Sequence, residues 1–546
     1  MLTLVYFISF IDFQKKATLS GLLIVIFSFI LFIQNKNKEN LVKNINFIKY
    51  PKRYLYFIYL FLLTLITQNV YLNIETVTWD VASYLVATYD VQNGNLPLET
   101  QWESKGPVLF YIYNLILFLI KDNYVLFRVA NDLVIFVLSI IIFLTIDNQK
   151  ENKNLALIGS SFFVLLVSKV WYVSEFSEIY CLIFIASAHY LYSSNNRYKL
   201  KYVFIGLLIS LSTLINQGTL IFIIPYILII LKNRKDLLKN YFKLLISFSI
   251  PHLIFVIMYF LNDLFDIYYA NYVTIPLGYT QESLSNFYEL RVWLRGFYDY
   301  DPFLYSALIF LVSSYIYSNI KIFKGEFGDI LILNLFASVL IYFVGSHNYY
   351  HHLFYLIYFT PLLFTKIKKQ YLFNSISIFV IIANVSILTM SFMPSYNNLS
   401  STKEVLNNYP LYQLSKEIDS YFEDEYSVFA LDYLLVLHYL DKPNYSYIVH
   451  PMNHFEYFIT DVLIELDRIP QNNVSKLINE NPEVIICNNF MIINGEYTRI
   501  DEQYNCEVTD YIAGYIKIDT SKYLNNDNLL YYDDYTRALY VNIKSK

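Results

Sequence analysis

Residues 124–146 read YVLFRVANDLVIFVLSIIIFLTI, an apolar run long enough to cross a lipid bilayer as one helix. Apolar runs of this kind, separated by short polar segments, recur over residues 22–392. The 546-residue chain is 56% hydrophobic and 16% charged, whereas soluble globular proteins are about 45–50% apolar and about 25% charged. The sequence therefore excludes an ordinary water-soluble protein and indicates a mainly α, polytopic integral membrane protein.

The composition excludes further classes of protein. With 55 Tyr and 44 Phe beside 13 Gly and 14 Pro, the chain is too aromatic and too apolar for a disordered or fibrous polymer. A formal net charge of −5 argues against a nucleic-acid-binding surface spread over the molecule, so no nucleic acid is expected as a partner.

Lys and Arg divide the polar segments into two sets, and positively charged loops stay in the cytoplasm. The basic set is residues 35–53, 197–201, 232–243, 321–324 and 366–369. The acidic or neutral set is residues 73–104, 171–178, 262–302 and 345–352. The two sets alternate if residues 108–120, an apolar run too short for a span, form a helix lying at or dipping into the outer surface. The sequence then predicts roughly 12 or 13 spans.

The apolar pattern stops after residue 392. Residues 393–546 are mixed in polarity, and the short apolar run 483–488 follows a helix-like stretch over residues 472–482. We therefore predict a transmembrane domain over residues 1–392 and an extracytoplasmic α/β domain over residues 393–546. Cys487 and Cys506 can pair if that domain lies outside the cytoplasm, but we expect two unpaired thiols.

The first outer loop, residues 73–104, carries five acidic residues and no Lys or Arg. Asp80 lies near the outer end of the preceding span, where a carboxylate can take a proton from a hydroxyl at the bilayer surface. Lys105 follows the loop and opens the surface helix with Gly106 and Pro107, and an ammonium beside a helix N-terminus suits a phosphate. Taken singly, each residue is equally consistent with an exposed loop acid or an interfacial anchor.

The combination of Asp80 and Lys105 with the residues between them is more specific than either residue alone. Its elements are Asp80, Tyr84, Gly94 with Pro97, Trp102 with Glu103, and Lys105-Gly106-Pro107. In this order and spacing they resemble the first external loop of polyprenyl-phosphate-sugar glycosyltransferases of the GT-C superfamily, related to protein O-mannosyltransferases and the lipid A aminoarabinose transferase. The resemblance covers roughly residues 54–392.

The resemblance implies an integral enzyme of the plasma (inner) membrane with an extracytoplasmic active site. Its donor would be a polyprenyl-phosphate sugar, and its acceptor a hydroxyl of a lipid, a glycan or a protein. By the same resemblance Asp80 is the catalytic base of an inverting transfer, Lys105 contacts the donor phosphate, and Tyr84 and Glu103 bind substrate. The chain departs from the family at Val81, where many relatives have Glu, and at residues 214–218, where a Lys is common. These departures leave the identity of the donor open.

Three histidines crowd one outer turn, His347, His351 and His352. They can contact the donor phosphate, hold a metal ion such as zinc, or serve a structural role, and the sequence leaves all three readings open. No cofactor is predicted with certainty, and a divalent metal remains an alternative. An acid near Glu178 recurs in the family, which makes Glu178 a candidate for sugar or acceptor contacts.

Arginines of the outer side are further candidates for the donor phosphate. Arg291 and Arg295 are four residues apart and share a face if that segment is helical. They can also pair with nearby acids on a solvated surface. Arg128 near the outer start of its span suits either phosphate binding or packing against lipid headgroups.

Three rival functions predict different features. A polytopic transporter or flippase would place ionisable residues at mid-membrane, whereas the charges here cluster at the ends of spans. A polysaccharide polymerase or ligase would also act on lipid-linked sugars but lacks the pattern from Asp80 to Lys105. A noncatalytic scaffold would bind a partner through its external domain and leave the glycans of the cell unchanged.

Overall fold

The computed structural model describes residues 53–168, 175–194, 199–232, 236–278, 312, 329–344, 350–366, 370–488, 490–493, 496–499, 515–524, 528–531 and 540–544. These residues are mainly helical. The helices up to residue 400 are α1 (Arg53–Gln68), α2 (Trp79–Ala87), α3 (Tyr89–Gln92), α4 (Pro107–Ile120), α5 (Tyr124–Lys150), α6 (Lys153–Val167), α7 (Ser177–Ser193), α8 (Lys201–Thr213), α9 (Ile224–Lys232), α10 (Leu237–Leu261), α11 (Phe265–Tyr269), α12 (Ile330–Val344), α13 (Phe354–Phe359) and α14 (Gln370–Ser400). Short 3₁₀ segments lie at Asn69–Tyr71, Gln217–Ile223, Tyr350–Leu353 and Pro361–Lys366, and a π-helical segment at Ala270–Thr274.

Three of the described helices are long and apolar enough to cross a membrane, namely Arg53–Tyr71, Tyr124–Lys150 and Leu237–Leu261. Helix α10 illustrates why these helices suit lipid better than water. Large apolar side chains are exposed along its whole length. They are Leu238, Phe242, Ile246, Ile250, Leu253, Ile257 and Phe260. Soluble monomers rarely expose so continuous an apolar surface, so we expect lipid tails to cover it. The total number of spans stays a prediction.

The expected short outer helix is present as α4. Gly106 precedes its first turn in an extended conformation, and Pro107 occupies the first helical position, where its missing N–H costs nothing. Leu115, Phe118 and Leu119 are exposed on one side of the helix. At 14 residues α4 is too short for an ordinary span. Its position relative to the bilayer stays a prediction.

The C-terminal part is built from short helices and a four-stranded sheet. The helices are α15 (Thr402–Asn407), α16 (Pro410–Asp419), α17 (Leu435–Tyr439), α18 (Tyr457–Glu465), α19 (Asn473–Asn479) and α20 (Ser521–Leu524), with a 3₁₀ segment at Pro451–His454. The strands of the chain are β1 (Glu75–Val77), β2 (Val428–Ala430), β3 (Val484–Cys487), β4 (Phe490–Ile493), β5 (Glu496–Arg499), β6 (Tyr515–Lys517), β7 (Leu529–Tyr531) and β8 (Tyr540–Lys544). The predicted helix before residue 482 and the strand after it are confirmed as α19 and β3.

The four-stranded sheet has the order β2-β3-β8-β6. Its first pair is parallel, with Val428 opposite Val484, and the other two pairs are antiparallel. Strands β2 and β3, the parallel pair, are buried along their whole length, as parallel strands usually are. Helix α14 runs through residue 393 to Ser400, so the proposed division at residue 392 falls within a helix.

One expectation about the cysteines is wrong. Cys487 is disulfide-bonded, not a free thiol, and Cys506 lies outside the described residues. Cys181 is a free, buried thiol. The composition could not reveal this, because a disulfide depends on the approach of two distant backbone segments.

Candidate active site

The C-terminal part is joined to the first outer loop by backbone and side-chain contacts. Strand β1 of the loop pairs in parallel with β7, with Glu75 opposite Leu529. The Glu75 carboxylate is fully buried and accepts hydrogen bonds from the Leu411 amide at 2.8 Å and from the Tyr439 hydroxyl at 2.7 Å. Burial raises the pKa of this carboxyl to about 7 against the opposing effect of its hydrogen bonds and of Arg128.

Asp80 lies in the first turn of α2. Thr78 caps this helix, since its hydroxyl oxygen accepts a hydrogen bond from the Val81 amide at 3.2 Å. A carboxylate in a first helical turn is stabilised by the exposed backbone N–H groups. The Tyr84 hydroxyl, one turn later, donates to Asp80 Oδ1 at 3.1 Å. The Asp80 side chain keeps 28% of its surface exposed, so it is held in place and still accessible.

An ammonium and two imidazoles surround the Asp80 carboxylate. Burial on its own raises the pKa of Asp80, but His351 and His450 in their protonated forms, the Lys105 ammonium and the hydrogen bond from Tyr84 lower the pKa below its ordinary value. The carboxyl is therefore ionised at neutral pH.

Lys105 lies on the other side of Tyr84. Its Nζ is 5.7 Å from the centroid of the Tyr84 ring, within the range of a cation–π contact. Burial lowers the pKa of Lys105, but Glu178, Asp80 and Glu103 together raise the pKa above its usual value. Asp80 and Lys105 thus contact the hydroxyl and the ring of one side chain, with the ammonium charged.

The segment after α8 holds the backbone of Lys105 in place. The Gly106 amide donates to the Ile215 carbonyl at 2.9 Å, and Gln217 Nε2 donates to the Ser104 carbonyl at 3.0 Å. Asn271 Nδ2 donates to the Lys105 carbonyl at 3.1 Å. The segment after α8 therefore holds the loop with one carbonyl acceptor and one amide donor, and Asn271 of the π-helical segment adds a second amide donor.

A second cluster of acidic and imidazole groups lies beside Lys105. Potential ligand atoms of Glu178, His351 and His352 are all within 4.8 Å of one another. His352 Nε2 is 3.9 Å from Glu178 Oε1, and Asn216 Nδ2 donates to the same oxygen at 3.1 Å. Two imidazoles and a carboxylate are an appropriate donor set for a divalent transition metal such as zinc. Among the described residues, these three form the group that could hold one.

Glu103 is buried next to this cluster. Its Oε1 accepts hydrogen bonds from the amide and the hydroxyl of Ser104, at 2.8 and 2.9 Å. Its Oε2 is buried and has no hydrogen-bond partner among the described residues. An unpaired buried carboxylate oxygen is costly in a folded protein. This orphan oxygen is consistent with a substrate hydroxyl as its partner.

The structure thus brings seven of the predicted site residues to one place: Asp80, Tyr84, Glu103, Lys105, Glu178, His351 and His352. Three others, Arg291, Arg295 and His347, lie outside the described residues.

Arg128 corrects one of the sequence-based interpretations. Neither of its two expected partners, headgroups or phosphate, fits its position, because the residue is only 3% exposed. Its Nε is 3.0 Å from Glu175 Oε1, and its Nη1 donates to the Ile74 carbonyl at 2.6 Å and to the Tyr409 hydroxyl at 2.8 Å. Arg128 therefore ties the first loop to the C-terminal part instead of facing a ligand.

Sequence reasoning missed the contribution of the C-terminal part to this site. Trp79 Nε1 donates to Asp432 Oδ1 at 2.8 Å, and His450 Nε2 is 3.8 Å from Asp80 Oδ1. A single His or Asp in an α/β segment carries no pattern that points to a residue more than 300 positions away. No sequence signal could have found these contacts.

No family model matches the chain, and no curated protein matches it. Solved structures are similar to it over about four fifths of its length. The Archaeoglobus fulgidus oligosaccharyltransferase in complex with Zn and sulfate aligns with a TM-score of 0.44 and 13% identity, covering 79% of this chain and 67% of that chain. ArnT from Cupriavidus metallidurans in the apo state aligns with a TM-score of 0.42 and 10% identity, covering 79% of this chain and 92% of that chain.

Proposed function

We propose that this protein is a membrane glycosyltransferase that moves a sugar from a polyprenyl-phosphate donor to an acceptor hydroxyl, with inversion at the anomeric carbon. The observation that carries the proposal is that the Asp80 carboxylate and the Lys105 ammonium both contact Tyr84, one at its hydroxyl and the other at its ring. One group is suited to the acceptor and the other to the phosphate of the donor. The family resemblance of the loop supports the same reaction.

In the proposed reaction, Asp80 orients the acceptor hydroxyl and takes its proton as the oxygen attacks the anomeric carbon. The bond between that carbon and the phosphate oxygen breaks, and its electron pair stays on the polyprenyl phosphate. Because the leaving group gains charge, Lys105 stabilises the transition state more than the ground state. Arg291, Arg295 and the histidines 347, 351 and 352 are proposed to assist at the phosphate.

We propose further that the reaction takes place on the extracytoplasmic face of the plasma (inner) membrane, with residues 393–546 as an external domain. The disulfide at Cys487 supports this placement, because disulfides persist in oxidising compartments. The absence of Lys and Arg from residues 73–104 supports it as well. The partners would be the lipid-linked donor, a lipid, glycan or protein acceptor, and membrane lipids. A metal held by Glu178, His351 and His352 would supply a further positive charge near the phosphate.

The function is tested by mass spectrometry of surface lipids, glycans and proteins from cells with and without the gene. A missing increment of the mass of one sugar is expected, and it identifies both the donor sugar and the class of acceptor. Identical profiles would contradict the proposal and favour a scaffold. A lipid-linked sugar that accumulates on the inner leaflet would instead favour a flippase.

The role of Asp80 is tested by Asp80→Asn in cells that lack the native gene. A positioned general base contributes about 10²–10⁴-fold to the rate, so the increment should fall below detection while the protein stays in the membrane. Asp122→Asn is the matched control, because Asp122 is an exposed loop acid bonded to Gln92. Near-normal transfer by Asp80→Asn would refute the assignment.

A further inference from the structure

A segment of the C-terminal part lies directly against the first outer loop. The Trp102 amide donates to the Tyr447 carbonyl at 2.6 Å, and the Val449 amide donates to the Trp102 carbonyl at 3.1 Å. Trp102 is fully buried in this contact. His450 is the next residue after Val449, so the same backbone hydrogen bonds that join the two parts also place His450.

His450 faces the Asp80 carboxylate. Its Nε2 is 3.8 Å from Asp80 Oδ1, and its ring lies edge-on to Trp79 with the centroids 6.2 Å apart. Trp79 is fixed in turn by its hydrogen bond to Asp432, which is fully buried. His450 Nδ1 is buried and has no hydrogen-bond partner among the described residues. Nε2 is therefore the ring nitrogen that faces a partner in this part of the chain.

We propose that His450 is the proton-accepting partner of Asp80, supplied to the membrane-embedded site by the C-terminal part. The inference rests on the proposed function. The acceptor hydroxyl gives its proton to the Asp80 carboxylate as its oxygen bonds to the anomeric carbon. The proton then passes from Asp80 to His450 Nε2, which becomes an imidazolium, and Asp80 returns to the carboxylate. Nε2 of the imidazolium then releases the proton to water.

The distance between Asp80 Oδ1 and His450 Nε2 suits the transfer of a proton from the acceptor hydroxyl. Direct hydrogen bonds are about 2.7–3.2 Å long, so 3.8 Å leaves room for a hydroxyl oxygen to approach both groups. The Lys105 ammonium and the nearby histidines when protonated lower the pKa of Asp80, so a protonated Asp80 readily gives its proton to another group. Imidazole is the side chain that changes charge between about pH 5 and 8.

The titratable groups that the described residues place around the pair are few. His454 follows on the same 3₁₀ segment, and burial and the charge of His450 lower the pKa of His454 to about 3, so it stays neutral. Lys105 and His351 act on Asp80 from the first loop and from the histidine turn. Among the described residues of the C-terminal part, His450 is therefore the imidazole that faces Asp80, with Nε2 3.8 Å from Oδ1.

The test uses the full-length protein in membranes of cells that lack the native gene. The probe is the polyprenyl-phosphate form of the sugar identified by the mass difference, with the native membranes as the source of acceptor. His450→Ala should lower kcat by about 100-fold and leave the KM for the donor within about twofold. Added imidazole should raise the kcat of His450→Ala about tenfold.

His454→Ala is the matched control, because His454 lies on the same segment but does not contact Asp80. The activity of His454→Ala should not respond to added imidazole. Native kcat in His450→Ala overturns the inference. A loss of kcat that added imidazole does not restore also overturns it, since that result indicates a purely structural role. If Asp80→Asn is inactive in the same assay, either failure concerns His450 alone and leaves the proposed function intact.

Discussion

Tyr84 contacts both groups of the proposed chemistry, the base Asp80 and the phosphate-binding Lys105. Its hydroxyl donates to Asp80 and its ring lies under Lys105. Burial, together with the negative charges of Asp80, Glu178 and Glu103, raises the pKa of the Tyr84 hydroxyl well above its usual value. The phenol therefore keeps its proton and remains a donor over the whole physiological range.

The two contacts of Tyr84 can be separated by substitution. Tyr84→Phe removes the hydroxyl and keeps the ring, so kcat should fall by about 10-fold while the KM for the donor is unchanged. That magnitude follows from about 1.5 kcal/mol for a hydrogen bond to a charged group. Tyr84→Leu removes the ring as well, and the KM for the donor should then rise too. The measurement is initial rates of transfer against donor concentration.

Tyr89→Phe on α3 is the control for general effects on the loop. If Tyr84→Phe changes the KM for the donor as much as Tyr84→Leu does, the separation of roles is wrong.

At the scale of residues the sequence was informative only within the first loop. Asp80, Tyr84 and Lys105 share one segment, so their order and spacing in the sequence already indicated that they work together. Arg128 was misjudged because its ion-pair partner Glu175 follows another span. His450 was missed because its contact with Asp80 depends on the packing of two separate parts of the chain.

At the scale of elements, the apolar runs predicted the helices well. The run at residues 124–146 forms a helix that begins at the predicted residue and ends four residues later, at Lys150. The irregular segments Gln217–Ile223 and Ala270–Thr274 were not predicted, since hydrogen bonds from Gln217 and Asn271 to the first loop stabilise their local structure. Such bonds have no signature in hydropathy.

The junction between the first loop and α4 depends on a residue without a side chain. A Cβ on Gly106 would lie 2.1 Å from the Leu214 carbonyl oxygen and 2.3 Å from the Tyr272 hydroxyl. The backbone of Gly106 has φ −80 and ψ 158, which alanine adopts freely, so the obstacle is steric. Gly106→Ala should cost about 1–3 kcal/mol of stability and displace Lys105. The expected readout is a lower melting temperature and at least a tenfold rise in the KM for the donor.

Gly94→Asn is the matched control for this substitution. Gly94 has φ +82, which asparagine tolerates better than most residues, and nothing lies within 4 Å of its added Cβ. The control should transfer sugar at nearly the native rate. Native KM values in Gly106→Ala would show that α8 and its following segment do not position Lys105.

At the scale of the whole molecule, the contact between the C-terminal part and the first loop should depend on pH through Glu75. Its pKa is about 7 in the folded protein against about 4.5 for an ordinary glutamate. The folded state thus binds the proton more tightly, and this stabilisation is complete below about pH 4.5 and is lost as the pH rises through 7. The slope between these limits is up to about 1.4 kcal/mol per pH unit.

We therefore expect the melting temperature of the purified protein to fall from pH 5 to pH 8 and the fall to be smaller in Glu75→Gln. The measurement is the difference between the two proteins at each pH, because other groups titrate in both. Glu480→Gln, at an exposed acid bonded to Tyr445, should keep the native dependence. Parallel curves for the native protein and Glu75→Gln would rule out Glu75 as the source.

The pairing of β1 with β7 has a consequence for how the protein is made. A ribosome adds about 5–20 residues per second, so about 20 to 90 seconds separate the synthesis of the two strands. For most of that time the nascent chain carries Asp80 and Lys105 but neither the strand that pairs with β1 nor His450. In the proposed enzyme, activity therefore begins only when translation is nearly finished, and an interrupted translation product in the membrane would be inert toward lipid-linked sugars.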